Sequence, residues 1–305
     1  MTDILVAGGG PAGLTAALYA ARAGKSVVVL EGNAPGGQIN FSPLVENYPG
    51  LPSIPGSQFS QDLLRQAEEL GVELEYEAVT SFRTHGNGFQ VTTDCALREC
   101  RALVLATGVQ HRTLGLPGEE ALVGQGVSYC AVCDGPFYAG KPAAVVGGGD
   151  TALQDALFLS GICSQVTLIH RREEFRGARR LVEQVLARDN IVCEMDSTVE
   201  ELLTREGCLS GVTVRGRITG QVKQLEVEGL FIAVGQQPQN GPFSALIAVD
   251  EDGYLLAGED CKTSLPGVFA AGDCRSKGVR QLTTAVGDGA VAGLAACRWV
   301  DEHPN

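Results

Sequence analysis

Positive charge is what this sequence has too little of: 23 Lys and Arg stand against 36 Asp and Glu, a net charge of −13 over 305 residues. That balance excludes a general affinity for nucleic acid or an anionic membrane surface, since both are held by excess cation. Any anion the protein binds needs a local cationic patch. No apolar run reaches the length that crosses a bilayer. The opening MTDILVAGGGPAG lacks a basic n-region and a small-residue cleavage site, so the expectation is a cytoplasmic protein. Histidine is also scarce: His85, His111, His170 and His303 have no metal-ligand spacing, and there is no second CxxC, so no metal site is expected. With 44% hydrophobic and 19% charged residues, the chain reads as an ordinary globular protein of about two domains.

Glycine is what it has in quantity, 40 residues, and two clusters of it have a defined context. Asp3 to Ala7 is a short apolar run, followed by Gly8-Gly9-Gly10-Pro11-Ala12-Gly13, an Ala/Leu-rich helical pattern stopped by Gly24, and the buried strand SVVVLEG ending at Glu31. Strand, glycine turn, helix, strand and acid form a dinucleotide-binding unit. Gly8 makes the turn, Gly10 lets the backbone approach a pyrophosphate, Gly13 lets helix pack on strand, and Glu31 can accept ribose hydroxyls. The pattern recurs at AAVVGGG, with Gly147, Gly149 and Ala152 in the GxGxxA form. Glu31 lies 23 residues after its first glycine (31 − 8), and the same count from Gly147 reaches His170, not an acid (170 − 147). Arg171, Arg172 and Arg176 follow. A carboxylate there would repel a 2′-phosphate, whereas guanidinium groups bind it, so the second unit reads as a site for NADPH, the alternative being a solvated basic face, and the first suits FAD. The fold class expected is α/β with two Rossmann-like domains. Near the C-terminus, Gly272-Asp273 ends a strand before Arg280-Gln281 and an Ala/Gly-rich helix. Asp273 can bond flavin-side polar groups, or simply cap a turn.

The stretch SYCAVCDG places Cys130 and Cys133 two residues apart. A zinc site lacks further ligands, and a staple across so short a loop constrains little. A redox-active dithiol remains, with Asp134 as a proton donor and acceptor or as a turn residue before Gly135. The other eight cysteines read as small buried or surface thiols.

In GGGPAG, PGGQ, VENYPG, ATG, SYCAVCDG, GGGDTA, HRREEFR, AAGDC and RQLTTAVGDGA, taken in this order, the chain resembles low-molecular-weight, bacterial-type thioredoxin reductases. The resemblance implies an FAD-binding domain from residues 1–112 and 244–305, and an NADPH-binding domain at 113–243 that carries the CxxC. It implies FAD contacts at Gly37, Gln38, Asn47, Val79, Thr107 and Gly108 as well as Asp273, Arg280 and Gln281. It also implies NADPH contacts at Gly148, Gly149, Asp150 and Thr151 with His170 and the three arginines. Hydride would pass from NADPH to FAD and on to the disulfide, with Cys133 nearer the flavin. Cys130 would attack the disulfide of thioredoxin, the implied partner, and a homodimer is the implied assembly. The chain departs from the family in INFSPL after PGGQ, in Gly177 where alanine is usual, and in LQDA where paired glutamates are common. The rival readings are a relative of the same fold that takes electrons from ferredoxin or oxidises a small dithiol, and a non-catalytic FAD redox sensor.

Overall fold

The computed structural model describes residues 1–42 and 44–304. In chain order its elements are β1 (Thr2–Ala7), α1 (Pro11–Arg22), β2 (Val27–Leu30), α2 (Gly56–Glu68), β3 (Glu73–Glu75), β4 (Val79–His85), β5 (Gly88–Thr93), β6 (Leu97–Leu105) and β7 (Val109–His111). Next come β8 (Val127–Ser128), α3 (Ala131–Asp134), β9 (Pro142–Gly147), α4 (Asp150–Ser160), β10 (Gln165–Ile169), α5 (Arg179–Leu186) and β11 (Ile191–Glu194). The chain continues through β12 (Ser197–Arg205), β13 (Cys208–Gly216), β14 (Val222–Leu225), β15 (Gly229–Ala233), β16 (Gln236–Pro238), β17 (Val268–Ala270) and α6 (Leu282–Glu302).

These elements form two compact units, Met1–Gln110 with Gln237–Asn305, and His111–Gln236. The sequence placed the second break near residue 243; here it falls at Gln237, and Phe243 is already buried in the core of the first unit. The chain passes between units along β7 and β16, which pair with each other.

In the first unit the sheet runs β3-β2-β1-β6-β5-β4, with β17 also on β6. β1 is parallel to β2 and to β6, so that Ala7 faces Leu30 on one side and Leu105 on the other. Ile4 to Ala7 and Leu103 to Leu105 are all buried, as strands covered on both faces must be. α1 and α6 cover one face. Their close approach depends on small residues: a Cβ on Gly289 would lie 2.3 Å from the Ala12 carbonyl oxygen, and one on Gly293 would lie 2.5 Å from that of Ala16. That requirement accounts for the Ala/Gly-rich composition of α6.

The second unit has a parallel sheet, β11-β10-β9-β15-β8, and a separate antiparallel meander, β12-β13-β14. β9 lies between β10 and β15, and β1 lies between β2 and β6. Each glycine cluster therefore leaves its sheet at the point where strand order reverses, the place where open α/β sheets bind ligands.

Candidate functional site

Gly8 leaves β1 with φ 109°, and a Cβ on it would lie 2.3 Å from the Ala106 carbonyl oxygen. One on Gly13 would lie 1.9 Å from the Gly8 carbonyl oxygen. The protein's own backbone requires glycine at both. Gly10 is different: nothing lies within 4 Å of where its Cβ would stand. It caps α1, and Pro11 occupies the first turn, where its missing N–H removes no bond. The free amides at the start of α1, including that of Ala12, thus begin beside open space lined by Gly37, whose Cβ position is 3.6 Å from Gly10 Cα. Glu31 accepts the Gly9 N–H at 2.7 Å on one carboxylate oxygen and the Asn33 N–H at 2.8 Å on the other, leaving lone pairs for hydroxyls. The cradle fits the pyrophosphate and ribose of an FAD.

Further residues of this unit come together in pairs. Gln38 donates to the Val109 carbonyl at 3.0 Å, and Thr107 donates to Asn240 at 3.3 Å, next to Gly108 at φ 65°. Asn47 donates to Gln281 at 3.2 Å, and Gln281 caps α6. Arg280 lies over the Tyr254 ring at 4.0 Å and donates to the Asp273 carbonyl. Asp273 Oδ1 is buried without a hydrogen-bond partner; Lys277 Nζ is 3.4 Å away, near enough for attraction but not aligned as a donor. Burial pushes the Asp273 carboxyl up, with Lys277 opposing. An orphaned buried oxygen fits a polar group arriving from outside the protein. Val79, partly buried, packs on the apolar cluster under the sheet.

Sequence reasoning missed what holds this turn in place. Asp288, inside α6, accepts two bonds from Arg275 at 2.7 and 2.8 Å, one from Lys277 at 3.1 Å and the Gly272 N–H at 3.0 Å. The invariable cost of burying such charges is met by mutual pairing. Asp288 was visible only as part of VGDGA, where nothing local marks it as buried.

At the second glycine turn, Gly149 caps α4 and has open space where a Cβ would stand, as Gly10 has. Thr151 is exposed on the same first turn. Arg171, Arg172 and Arg176 are exposed and form no ion pair among the described residues. Free guanidinium groups beside a helix N-terminus fit a phosphorylated ribose. Two neighbours depart from the sequence expectation. His170 is buried, its ring lies where a Gly148 Cβ would be (2.1 Å), it stacks on Phe175, and its Nε2 is 3.0 Å from the Glu174 carbonyl oxygen. Burial holds its pKa below the usual value. Asp150 is exposed, and its Oδ1 accepts the Ala178 N–H at 2.6 Å. The His170 ring is turned to the protein.

Cys130 and Cys133 are joined in a disulfide at the start of α3, and both are half-buried. The Cys133 N–H donates to Cys130 Sγ at 3.2 Å. Asp134 follows directly: Oδ2 accepts from the Ser128 hydroxyl at 2.6 Å and Oδ1 is buried without a partner. Desolvation pushes its carboxyl above the usual range, opposed by the Ser128 bond. Ser128 also accepts the Cys130 N–H at 3.1 Å, so one hydroxyl ties the carboxyl to the cysteine loop. That link was not read from SYC. Tyr138 packs edge-on against Phe231 and over Gly229, so it serves the core, while Val132 between the cysteines is exposed. Of the remaining cysteines, Cys95 and Cys208 are exposed, Cys193 is intermediate and five are buried. Among the described residues no group of His, Cys, Asp and Glu is placed to hold a metal.

This arrangement has close counterparts. The pattern of the pyridine nucleotide-disulphide oxidoreductase family matches residues 2–289. The chain is 40% identical to a thioredoxin reductase of Listeria innocua over 98% of this chain and 94% of that one. It is 37% identical to a thioredoxin reductase of Bacillus subtilis over 98% and 95%. Among solved structures, a thioredoxin reductase from Streptococcus pyogenes superposes with a TM-score of 0.95 at 41% identity, covering 99% of each chain. One from Giardia duodenalis gives 0.92 at 36% identity, covering 98% and 99%. Likeness of this extent in sequence and in backbone places the chain in the pyridine nucleotide-disulphide oxidoreductase family.

Proposed function

We propose that the chain is an NADPH-dependent flavoprotein disulfide reductase whose substrate is thioredoxin. The observation that carries the reading is the Cys130–Cys133 disulfide beside a buried carboxyl with an unpaired oxygen. Relatives named thioredoxin reductase match nearly the whole chain. In this reading the first unit holds FAD through Gly8 to Gly13, Glu31, Gly37, Gln38, Asn47, Thr107, Gly108, Asp273, Arg280 and Gln281. The second holds NADPH through Gly148, Gly149 and Thr151, with Arg171, Arg172 and Arg176 on the 2′-phosphate.

NADPH and FAD, where bound, would supply the two electrons, as one hydride equivalent, that the disulfide takes up. Every other part belongs to side chains. Breaking the Cys130–Cys133 bond takes two electrons and leaves two thiolates. Asp134, whose carboxyl burial pushes up, gives a proton to the Cys133 sulfur and takes it back when Cys133 attacks. Cys130 as thiolate then attacks a partner disulfide, forming a mixed disulfide and releasing a partner thiolate. Cys133 attacks Cys130 in turn, which restores the internal disulfide and frees the reduced partner. No helix is long and apolar enough to cross a membrane among the described residues, and the working place proposed is the cytoplasm, as a homodimer.

The test is NADPH oxidation coupled to thioredoxin reduction in the wild type and in Cys130→Ser and Cys133→Ser. Both variants should lose thioredoxin turnover while NADPH still bleaches the flavin. Turnover persisting in either variant would refute the reading.

A further inference from the structure

Residues 170–178 carry the three arginines yet contain no helix or strand of their own. Their position is set by tethers to the rest of the second unit. The Gly148 carbonyl accepts the Arg176 N–H at 2.7 Å and the Gly177 N–H at 3.2 Å. Asp150 Oδ1 accepts the Ala178 N–H at 2.6 Å. Gly177 sits against that same carboxylate, since a Cβ on it would be 2.9 Å from Asp150 Oδ1 and 2.4 Å from Leu153 Cδ1. The His170 ring fills the space beside Gly148 and reaches the Glu174 carbonyl at 3.0 Å. On the far flank the Arg172 carbonyl accepts the Asp196 N–H at 3.1 Å, and the Arg217 guanidinium donates to the Arg171 carbonyl at 2.6 Å.

We infer that Asp150 and His170 are positioning residues that fasten the arginine segment to the glycine turn and so set the preference for a 2′-phosphorylated dinucleotide. The inference rests on the NADPH reading of this unit. An acid in the first turn of α4 suits the helix dipole, yet it adds negative charge where a pyrophosphate is expected. Its bond to Ala178 gives that acid a use. Guanidinium groups on a tethered segment are already in place when the phosphate arrives, whereas a loose segment has to be ordered first. The part of the ligand common to both dinucleotides meets the glycine turn, so losing the tether falls on the 2′-phosphate alone.

Calorimetric titration of the oxidised, flavin-loaded protein with NADP⁺ and with NAD⁺ tests this without relying on turnover. Asp150→Ala should weaken NADP⁺ about tenfold relative to NAD⁺, the scale of one lost charge-assisted hydrogen bond, with the effect of the lost charge on the shared pyrophosphate cancelling in the ratio. Asp150→Asn keeps an acceptor for Ala178 and should recover most of the loss. His170→Ala should shift selectivity in the same direction. Equal weakening of both dinucleotides, or no change in either, would overturn the inference. Arg172→Gln separates the two levels. If it weakens NADP⁺ while Asp150→Ala does not, the NADPH reading stands and the tether fails. If it leaves NADP⁺ binding untouched, both fail.

Discussion

At Asp134 one carboxylate oxygen rests on the Ser128 hydroxyl and the other is buried with no partner. Asn has nearly the same shape but cannot carry the proton. Asp134→Asn should therefore slow reduction of the internal disulfide about 10²-fold, read by stopped-flow absorbance, while the fold is kept. An unchanged rate would remove Asp134 from the proton path. Asp155, half-buried on α4 with no hydrogen-bond partner among the described residues, is pushed up to about 7 by desolvation. Between its ordinary value and about 7 the folded state holds a proton that the unfolded state has lost, so stability falls as pH rises through that window. Asp155→Asn should flatten this slope: more stable than the wild type at pH about 8, and equal to it near pH about 4, in denaturant unfolding at each pH. The residue types at these places were legible in the sequence. Their burial was not, because Ser128 and Asp134 meet across a turn and the exposure of Asp155 depends on how α4 packs.

At the scale of elements, the glycines divide by what fills the space around them. Gly293 touches the α1 backbone, and Gly149 faces open space at the start of α4. Gly293→Val should destabilise the fold by about 1–3 kcal/mol through overpacking of α6 on α1, seen as a lower Tm. Gly149→Ala should leave Tm unchanged but weaken NADP⁺ binding, because the added methyl enters the space proposed for the ligand. A fall in Tm for Gly149→Ala would show that the space serves the protein itself. The strand-turn-helix pattern around Gly8 and Gly147 was readable because each unit is local, complete within about thirty residues. The fastening of 171–178 was not, since Asp150 and Ala178 are 28 positions apart. His170 occupied the expected position by count, yet its ring turns inward to Gly148 and Phe175. Spacing gives the location of a Cα, and packing decides where the side chain points.

For the whole molecule, a net charge of −13 makes the cluster of Arg171, Arg172 and Arg176, with no ion pair among the described residues, the more conspicuous. The order of glycine turn, CxxC, second glycine turn and C-terminal Gly272-Asp273 was plain along the chain. That Phe243 already belongs to the first core could not be read, because burial there is made by residues from distant strands. Electrons that run from NADPH through a bound flavin to Cys130–Cys133 can be followed in an anaerobic titration of the purified protein with NADPH, and separately NADH, while recording flavin absorbance. NADPH should bleach the flavin at far lower concentration than NADH, with one hydride equivalent taken by the flavin and a second by the disulfide. The second equivalent should vanish in Cys133→Ser. A yellow protein that neither nucleotide bleaches would rule out this electron path and leave ferredoxin or a small dithiol as the electron source to test.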